Sequence, residues 1–428
     1  MKKIILCLIL SILSIIALDN TQKADARVKS ETSWVDENTT LDDYAYSFAV
    51  VGDTQNLCRD YQKNGNEGLK YANEFHGIYD WIIANKDAKK IKHVFGLGDI
   101  TESEYWPKVS ENEWALAKAA ISKMDGIISY SLVKGNHDSG KHLNQTFNYP
   151  AYTNQFDGFY KEGDLSSTYM TMTIGSTKYL FITLNFGPSD EELEWAGEVI
   201  KAHNNHKVII STHGYLSKIG QPLEDEMYNY NDIDYTMGIS HRNYNNGQQM
   251  WDKLISQYGN IMLVLSGHIV SEDIKKREDY GIHGNKVVEL LIDPQWMDVD
   301  DPVGMVCMLY FNEDGTKMDV EWYSTVKNKY YKASNIFQVD LSECNLPAHD
   351  YYYLYDNTTH WQECDCEGYT EPQPHEWIMN ENGSETCYCG ATKIVQSKKD
   401  GCGGSIVASV IGMFALLSIT AYIKKKKQ

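Results

Sequence analysis

An α/β fold is what this sequence predicts, and three observations predict it. Short apolar runs alternate with stretches of helical periodicity, the runs close on Gly followed by Asp, Asn or His, and these closures recur at intervals that suit one βα unit each. Taken in order, "YSFAVVGDTQ" from Tyr46 reads as a strand ending in Gly52-Asp53. Gly68 to Lys89 then places Leu69, Tyr71, Phe75, Ile78, Trp81 and Ile82 at helical spacing, and "HVFGLGD" is a second strand ending in Asp99. Asn112 to Met124 is the next helix. Ser129 to Val133 is the third strand, and Gly135 frees the backbone to turn before Asn136, His137 and Asp138.

The rhythm continues with "YMTMTIGSTKYLFITLN", a hairpin turning at Gly175-Ser176. A helix over Glu191 to Ala202 leads to the strand "KVIISTHG", and one over Gln248 to Tyr258 leads to "IMLVLSGH". "KVVELLI" and "VGMVCMLYFNEDGTKMDVEWYS" add strands, the latter turning at Asp314-Gly315. Strands alternating with helices imply parallel βαβ units, with antiparallel strands added toward an edge.

Five strands therefore end in polar or ionisable groups: Asp53 with Gln55, Asp99, Asn136 with His137 and Asp138, His213, and His268. In an open α/β sheet the crevice lies at the carboxyl ends of the strands, so groups far apart in sequence converge there. "GDTQ", "GLGD", "GNHD", "STHG" and "SGH", in this order, resemble the five motifs of the calcineurin-like metallophosphoesterases, a family that includes the purple acid phosphatases. The likeness spans roughly residues 45 to 330, and "GNHD" is its most specific piece.

The resemblance implies two mixed β-sheets sandwiched by helices, and two divalent or trivalent ions of manganese, iron or zinc. Asp53, Gln55 and Asp99 would hold one ion; Asp99, Asn136, His213 and His268 would hold the other, with Asp99 as the bridge. His137 would be the catalytic histidine and Asp138 the carboxylate that hydrogen-bonds its ring. The implied reaction is hydrolysis of a phosphomonoester or phosphodiester by metal-bound hydroxide, with His137 assisting the leaving group; two ions about 3.5–4 Å apart clamp the phosphate and activate water. An imidazole suits that role because its reference pKa, about 6.5, lies near operating pH.

Two positions depart from the family pattern. Gln55 stands where the first motif usually carries histidine, and Val270 stands where the fifth usually carries a second histidine. A glutamine oxygen coordinates, but valine does not, so the ion beside Asp53 is expected to bind weakly or to take a ligand from elsewhere. Glu272, Asp273, His241 and His283 are the replacements in view, each equally readable as a surface residue. The same departures leave a second reading, a catalytically impaired surface binding protein on this fold, and a nucleotide pyrophosphohydrolase is a further alternative within the metal-dependent class. Retention of His137 beside Asp138 favours the hydrolase.

The 428 residues carry a formal net charge of −20, which excludes the basic footprint that nucleic-acid binding requires. Lys2, Lys3, the apolar run Ile4 to Leu18 and Ala24-Asp25-Ala26 predict a signal peptide over 1–26. Residues 27–43 read as a polar linker and 44–330 as the catalytic domain. Residues 331–400 read as a spacer rich in aromatics and cysteine, and 401–405 as a flexible joint. The uncharged run 406–423, followed by a basic tail over 424–428, predicts a transmembrane helix, and with it an exported, single-pass protein at the cell surface whose partners are a phosphate ester and the membrane. Within the spacer, Cys364, Cys366, Cys387 and Cys389 form two close pairs with His375 between them, a set that predicts either structural zinc or two disulfides. Gly214 to Asn246, rich in Asp, Glu and Tyr, is expected to overhang the crevice.

Overall fold

The apolar runs form strands, and the two-residue period within each run decides which layer a side chain joins. In β1 (Tyr46–Val51), Phe48 and Val50 face one core while Ala49 and Val51 face another. The same division holds in β2 (Ile91–Gly96), β4 (Lys207–Ser211), β5 (Ile261–Ser266) and β6 (Lys286–Leu291), all of them largely buried, whereas β3 (Ser129–Leu132) turns Tyr130 and Leu132 to one core and alternates them with Ser129 and Ser131. Burial on both faces explains why these segments read as continuous apolar runs rather than as clean alternation. The computed structural model describes residues 33–36, 43–58, 66–103, 107–224, 244–298, 302–344, 352–363, 372–380 and 383–394.

Two mixed sheets result. In the first, β3, β2 and β1 run parallel, and Met305–Phe311 and Lys317–Ser324 continue antiparallel from β1. In the second, β6, β5, β4 and Thr177–Thr183 run parallel, flanked by Lys275–Tyr280 on one side and Thr168–Ile174 on the other. The sheets pack face to face: Phe48, Phe95 and Leu309 of one share a core with Phe181, Ile209, Leu263 and Val288 of the other, and the Phe48 and Phe181 rings meet edge-on at 5.4 Å. Helices cover both outer faces. Asn66–Asn85 and Pro107–Ile121 bring Phe75, Ile78, Ile82 and Trp114 onto the first sheet, and Asp190–Ala202 and Gly247–Lys253 bring Leu193, Ala196 and Met250 onto the second. Capping boxes at Ser189 with Glu192 and at Asn246 with Gln249 fix where the latter two helices begin.

The chain divides into two compact units, one ending at Ala348 and the other beginning at His349. Phe337–Asp340 pairs with Lys317–Ser324 inside the first unit, and Trp34–Val35 pairs with Tyr330 and Tyr331, so this part of the expected linker is an edge strand. In the second unit, Tyr352–Tyr355, Thr359–Glu363 and Gln373–Pro374 form one small antiparallel sheet. Ile378–Met379, Ser384–Thr386 and Thr392–Ile394 form another.

The membrane expectations require correction. Among the described residues no helix is long and apolar enough to cross a membrane, which removes the support for a transmembrane helix, a membrane partner and a single-pass localisation. The longest of them, the 20-residue helix Asn66–Asn85, carries Glu67, Lys70, Glu74 and Asp80 and is one-sided in its apolar content. Residues 1–26, 401–405, 406–423 and 424–428 lie outside the described residues, as do 225–243 of the segment expected to overhang the crevice.

Candidate functional site

The carboxyl ends of β1 to β5 bring the predicted residues together, and the backbone is bent to do so. Asp53, Asp99 and His268 each leave their strand with a positive φ of 53°, 46° and 70°. Such a conformation is sparsely populated for residues other than glycine, and it tends to persist where a site over-determines it. The chain is also closely approached by neighbouring carboxylates: a Cβ added at Gly135 would lie 2.1 Å from Asp99 Oδ1, and one at Gly267 would lie 2.1 Å from Asp53 Oδ2.

Asp99 sits at the centre, almost fully buried. Its Oδ1 accepts from the His137 amide at 2.9 Å and lies 3.2 Å from His213 Nε2, and its Oδ2 accepts from Gln55 Nε2 at 3.0 Å. His213 Nδ1 donates to the Leu97 carbonyl at 2.8 Å, which turns Nε2 toward Asp99 and toward Asn136 Oδ1 at 3.0 Å. A ring held in this way by a backbone carbonyl presents its second nitrogen in a fixed direction, as ligating histidines do. His268 completes the group: its ring centroid is 4.8 Å from that of His213, and its amide donates to Asp53 Oδ1 at 2.9 Å. One ligand atom from each of Asp99, His213 and His268 lies within 4.8 Å of the others.

His137 stands beside them with its side chain 33% exposed, against 3% for Asp99. Its Nε2 is 4.0 Å from Asp99 Oδ2, and its Nδ1 donates to the Glu102 carbonyl at 3.2 Å and lies 3.3 Å from the Glu102 carboxylate. The partner expected for this ring was Asp138, and the geometry assigns that carboxylate elsewhere. Asp138 is buried and accepts from the amides of Ile100, Thr101 and Gly135 and from the Thr101 hydroxyl. It therefore ties the loop after β2 to the loop after β3, and Glu102 is the acid at the ring. The sequence carried no signal for Glu102, because loop spacing does not reveal which acid faces an imidazole.

Asp53 Oδ2, Gln55 Oε1 and Asp293 Oδ2 are buried in this crevice with no hydrogen-bond partner among the described residues. An unsatisfied buried acceptor costs roughly 1–3 kcal/mol, and more if charged. Burial, together with Asp293 and Asp99, pushes the Asp53 carboxyl well above its ordinary pKa. Burial likewise pushes Asp293 up, to about 7. For Asp99, burial acts in the same direction, but His213, His137 and His268 outweigh it and hold its carboxyl low. Carboxylates thus crowd one another at the Asp53 end of the site, while histidines surround Asp99 at the other. A cation between Asp53, Gln55 and Asp293 would satisfy the orphaned oxygens, so the residues present fit a metal ion.

Asp293 was not among the predicted residues. The parallel register pairs Leu291 of β6 with Ser266 of β5, and the Ile292 amide continues the ladder to the Ser266 carbonyl at 2.8 Å. Asp293, two residues on, thus stands level with His268 at a sixth strand end. The signal was present, since "KVVELLID" is an apolar strand closed by an acid like the others. The named replacements lie elsewhere. Glu272 and Asp273 contact Lys332, and His283 Nε2 donates to the Gln257 carbonyl at 3.1 Å. His241 lies outside the described residues.

Comparison with known proteins adds the following. A family model described as calcineurin-like phosphoesterase matches residues 46–272. The Bacillus subtilis protein YvnB, described as uncharacterized, is 24% identical over 305 residues, covering 67% of this chain and 20% of its own length; the chain thus spans about a fifth of that curated relative. A dimetal phosphatase from Danio rerio superposes with a TM-score of 0.45 at 12% identity, over 70% of this chain and 100% of that one. A purple acid phosphatase from yellow lupin seeds gives 0.43 at 12% identity, over 69% and 53%.

Proposed function

Because this chain belongs to the calcineurin-like phosphoesterase family, we propose that it hydrolyses a phosphate ester with the aid of two metal ions held at the ends of β1 to β6. Asp53, Gln55, Asp99 and Asp293 hold one ion, and Asp99, Asn136, His213 and His268 hold the other. The observation that carries this reading is the trio of unpartnered buried oxygens of Asp53, Gln55 and Asp293 beside the Asp99, His213 and His268 cluster. When bound, such ions neutralise non-bridging phosphate oxygens and lower the pKa of water.

The remaining steps belong to the chain's own groups. His137 is the proton donor to the leaving oxygen: of the site's imidazoles it reaches solvent, while His213 is fully buried. Burial disfavours its charge, but Asp99 and Glu102 together hold its pKa above the ordinary value, so the ring is poised to carry a proton. Glu102 orients the ring through Nδ1 and leaves Nε2 as the donating atom. Asp138 positions the loops that carry Asp99 and His137. Asp293 supplies the carboxylate that Val270 cannot, which favours a hydrolase over a binding protein that has lost its metals.

Metal content and hydrolysis of p-nitrophenyl phosphate and bis-p-nitrophenyl phosphate, measured on chain loaded with manganese, zinc or iron, test the reading. Metal-dependent turnover that His137→Ala lowers by roughly 10²–10⁴-fold, with metal content unchanged, is the expected result. Absence of turnover with every metal and both esters would refute it.

A further inference from the structure

The second unit holds another cluster, in which two cysteines join two histidines. One atom each from His360, His375, Cys387 and Cys389 lies within 4.8 Å of the others. Cys387 Sγ is 3.7 Å from His360 Nδ1, and Cys389 Sγ is 3.5 Å from His375 Nδ1. A tetrahedral zinc with Zn–S of about 2.3 Å and Zn–N of about 2.0–2.1 Å separates S from N by about 3.6 Å, so these gaps are edges of that polyhedron.

The ring nitrogens are turned the right way. His375 Nε2 lies 2.9 Å from the Asp356 carbonyl, which only accepts, so Nε2 carries the proton and Nδ1 presents its lone pair to the sulfurs. His360 Nε2 pairs with the Tyr388 hydroxyl at 2.6 Å, and its Nδ1 is the nitrogen that faces Cys387 Sγ. Outer-nitrogen contacts of this kind fix the tautomer of metal-bound histidines. The turn through "CYCG" is closed by the Gly390 amide on the Cys387 carbonyl and the Cys387 amide on the Ala391 carbonyl, with Gly390 at φ 91°. Both sulfurs are buried and both are free thiols.

The module has little else to hold it. Its described core is Cys387, Cys389 and Ala391 with Trp377 against them, and its strands are two to five residues long. Sheets this small need a crosslink or metal to be stable on their own. We propose that His360, His375, Cys387 and Cys389 bind one zinc ion that staples this module. Two soft thiolates with two imidazoles select zinc over the hard cations that oxygen ligands favour. The set differs from the four cysteines expected from spacing: the histidines stand in the places given to Cys364 and Cys366, which lie outside the described residues.

Cobalt(II) substitution of the full chain separates this site from the crevice, because only a thiolate site gives a sulfur-to-cobalt charge-transfer band in the near ultraviolet. The expected result is such a band in the wild type, its loss in Cys387→Ser/Cys389→Ser, one zinc fewer per chain in that variant, and unchanged p-nitrophenyl phosphate hydrolysis. Titration of the wild type with a mercurial thiol reagent gives an independent readout that needs no variant, and it is expected to release one zinc. No band in the wild type, a band that survives the double substitution, or a Cys387–Cys389 disulfide in peptides mapped without reductant would each overturn the proposal.

Discussion

Replacing Gly267 by alanine tests the geometry of the crevice with a single methyl group. The added carbon would sit 2.1 Å from Asp53 Oδ2, whereas real contacts of this kind do not fall below 3.0 Å, so the oxygen must retreat by about 0.9 Å. Asp53 has little freedom to yield elsewhere: its Oδ1 accepts from the His268 amide, its backbone is held at positive φ, and the Gly267 amide is tied to the His213 carbonyl at 2.9 Å. Metal–ligand distances tolerate about 0.2 Å, so the shift exceeds what a coordinated carboxylate can absorb. A misplacement near 1 Å costs about 10²-fold in rate. The assay is kcat/KM for p-nitrophenyl phosphate alongside metal content by mass spectrometry and unfolding by circular dichroism. Gly175→Ala is the control, because Gly175 also has positive φ, at 60°, but has nothing within 4 Å of its added carbon. It should lose about 1 kcal/mol of stability and no activity. Wild-type activity and metal content in Gly267→Ala would refute the placement of Asp53 at the metal.

Other expectations follow from the same coordinates. Asp293→Ala should weaken the second of two metal-binding steps at least about tenfold by calorimetry while the first is kept, and two unaltered steps would remove Asp293 from the site. Arg277→Met strips the partner, 2.6 Å away, from the fully buried Glu289, which also accepts from Tyr215 two residues beyond His213; a loss of about 3 kcal/mol in urea unfolding is expected, recovered largely by Arg277→Met/Glu289→Leu. Burial pushes the pKa of His93, between the hydroxyls of Ser129 and Ser131, down to about 3. The unfolded chain therefore binds the extra proton first, so His93 contributes a slope that removes up to about 1.4 kcal/mol of stability per pH unit as pH falls from 6.5 toward 3, opposite in sign to the slope from the raised Asp53 and Asp293 carboxyls of the metal-free protein. His93→Gln should remove that slope, and equal slopes in the two proteins would show that His93 is not its source.

Much of the candidate site was legible because its residues are strand ends, and a strand end is a local event. Asp53, Asp99, Asn136, His213 and His268 each follow an apolar run and a glycine or turn, and topology alone carries them to one crevice. Asp138 was found by the same signal but its partner was not, since which backbone amides a carboxylate meets depends on how two loops lie against each other. Asp293 shows the same limit: its strand was read, but its place beside His268 needs the β5–β6 register, which pairs residues 25 apart in the chain.

By itself, then, the sequence determined the α/β order of elements, the two faces of each strand, and the residue types that close them, because propensity and period act over a few neighbours. Only the tertiary structure decided the contacts that join distant segments: Glu102 at the His137 ring, Asp293 level with His268, and His360 and His375 facing Cys387 and Cys389. Those pairings follow from the packing of whole sheets and loops, whose free energy is summed over many residues and is written in no single stretch of chain.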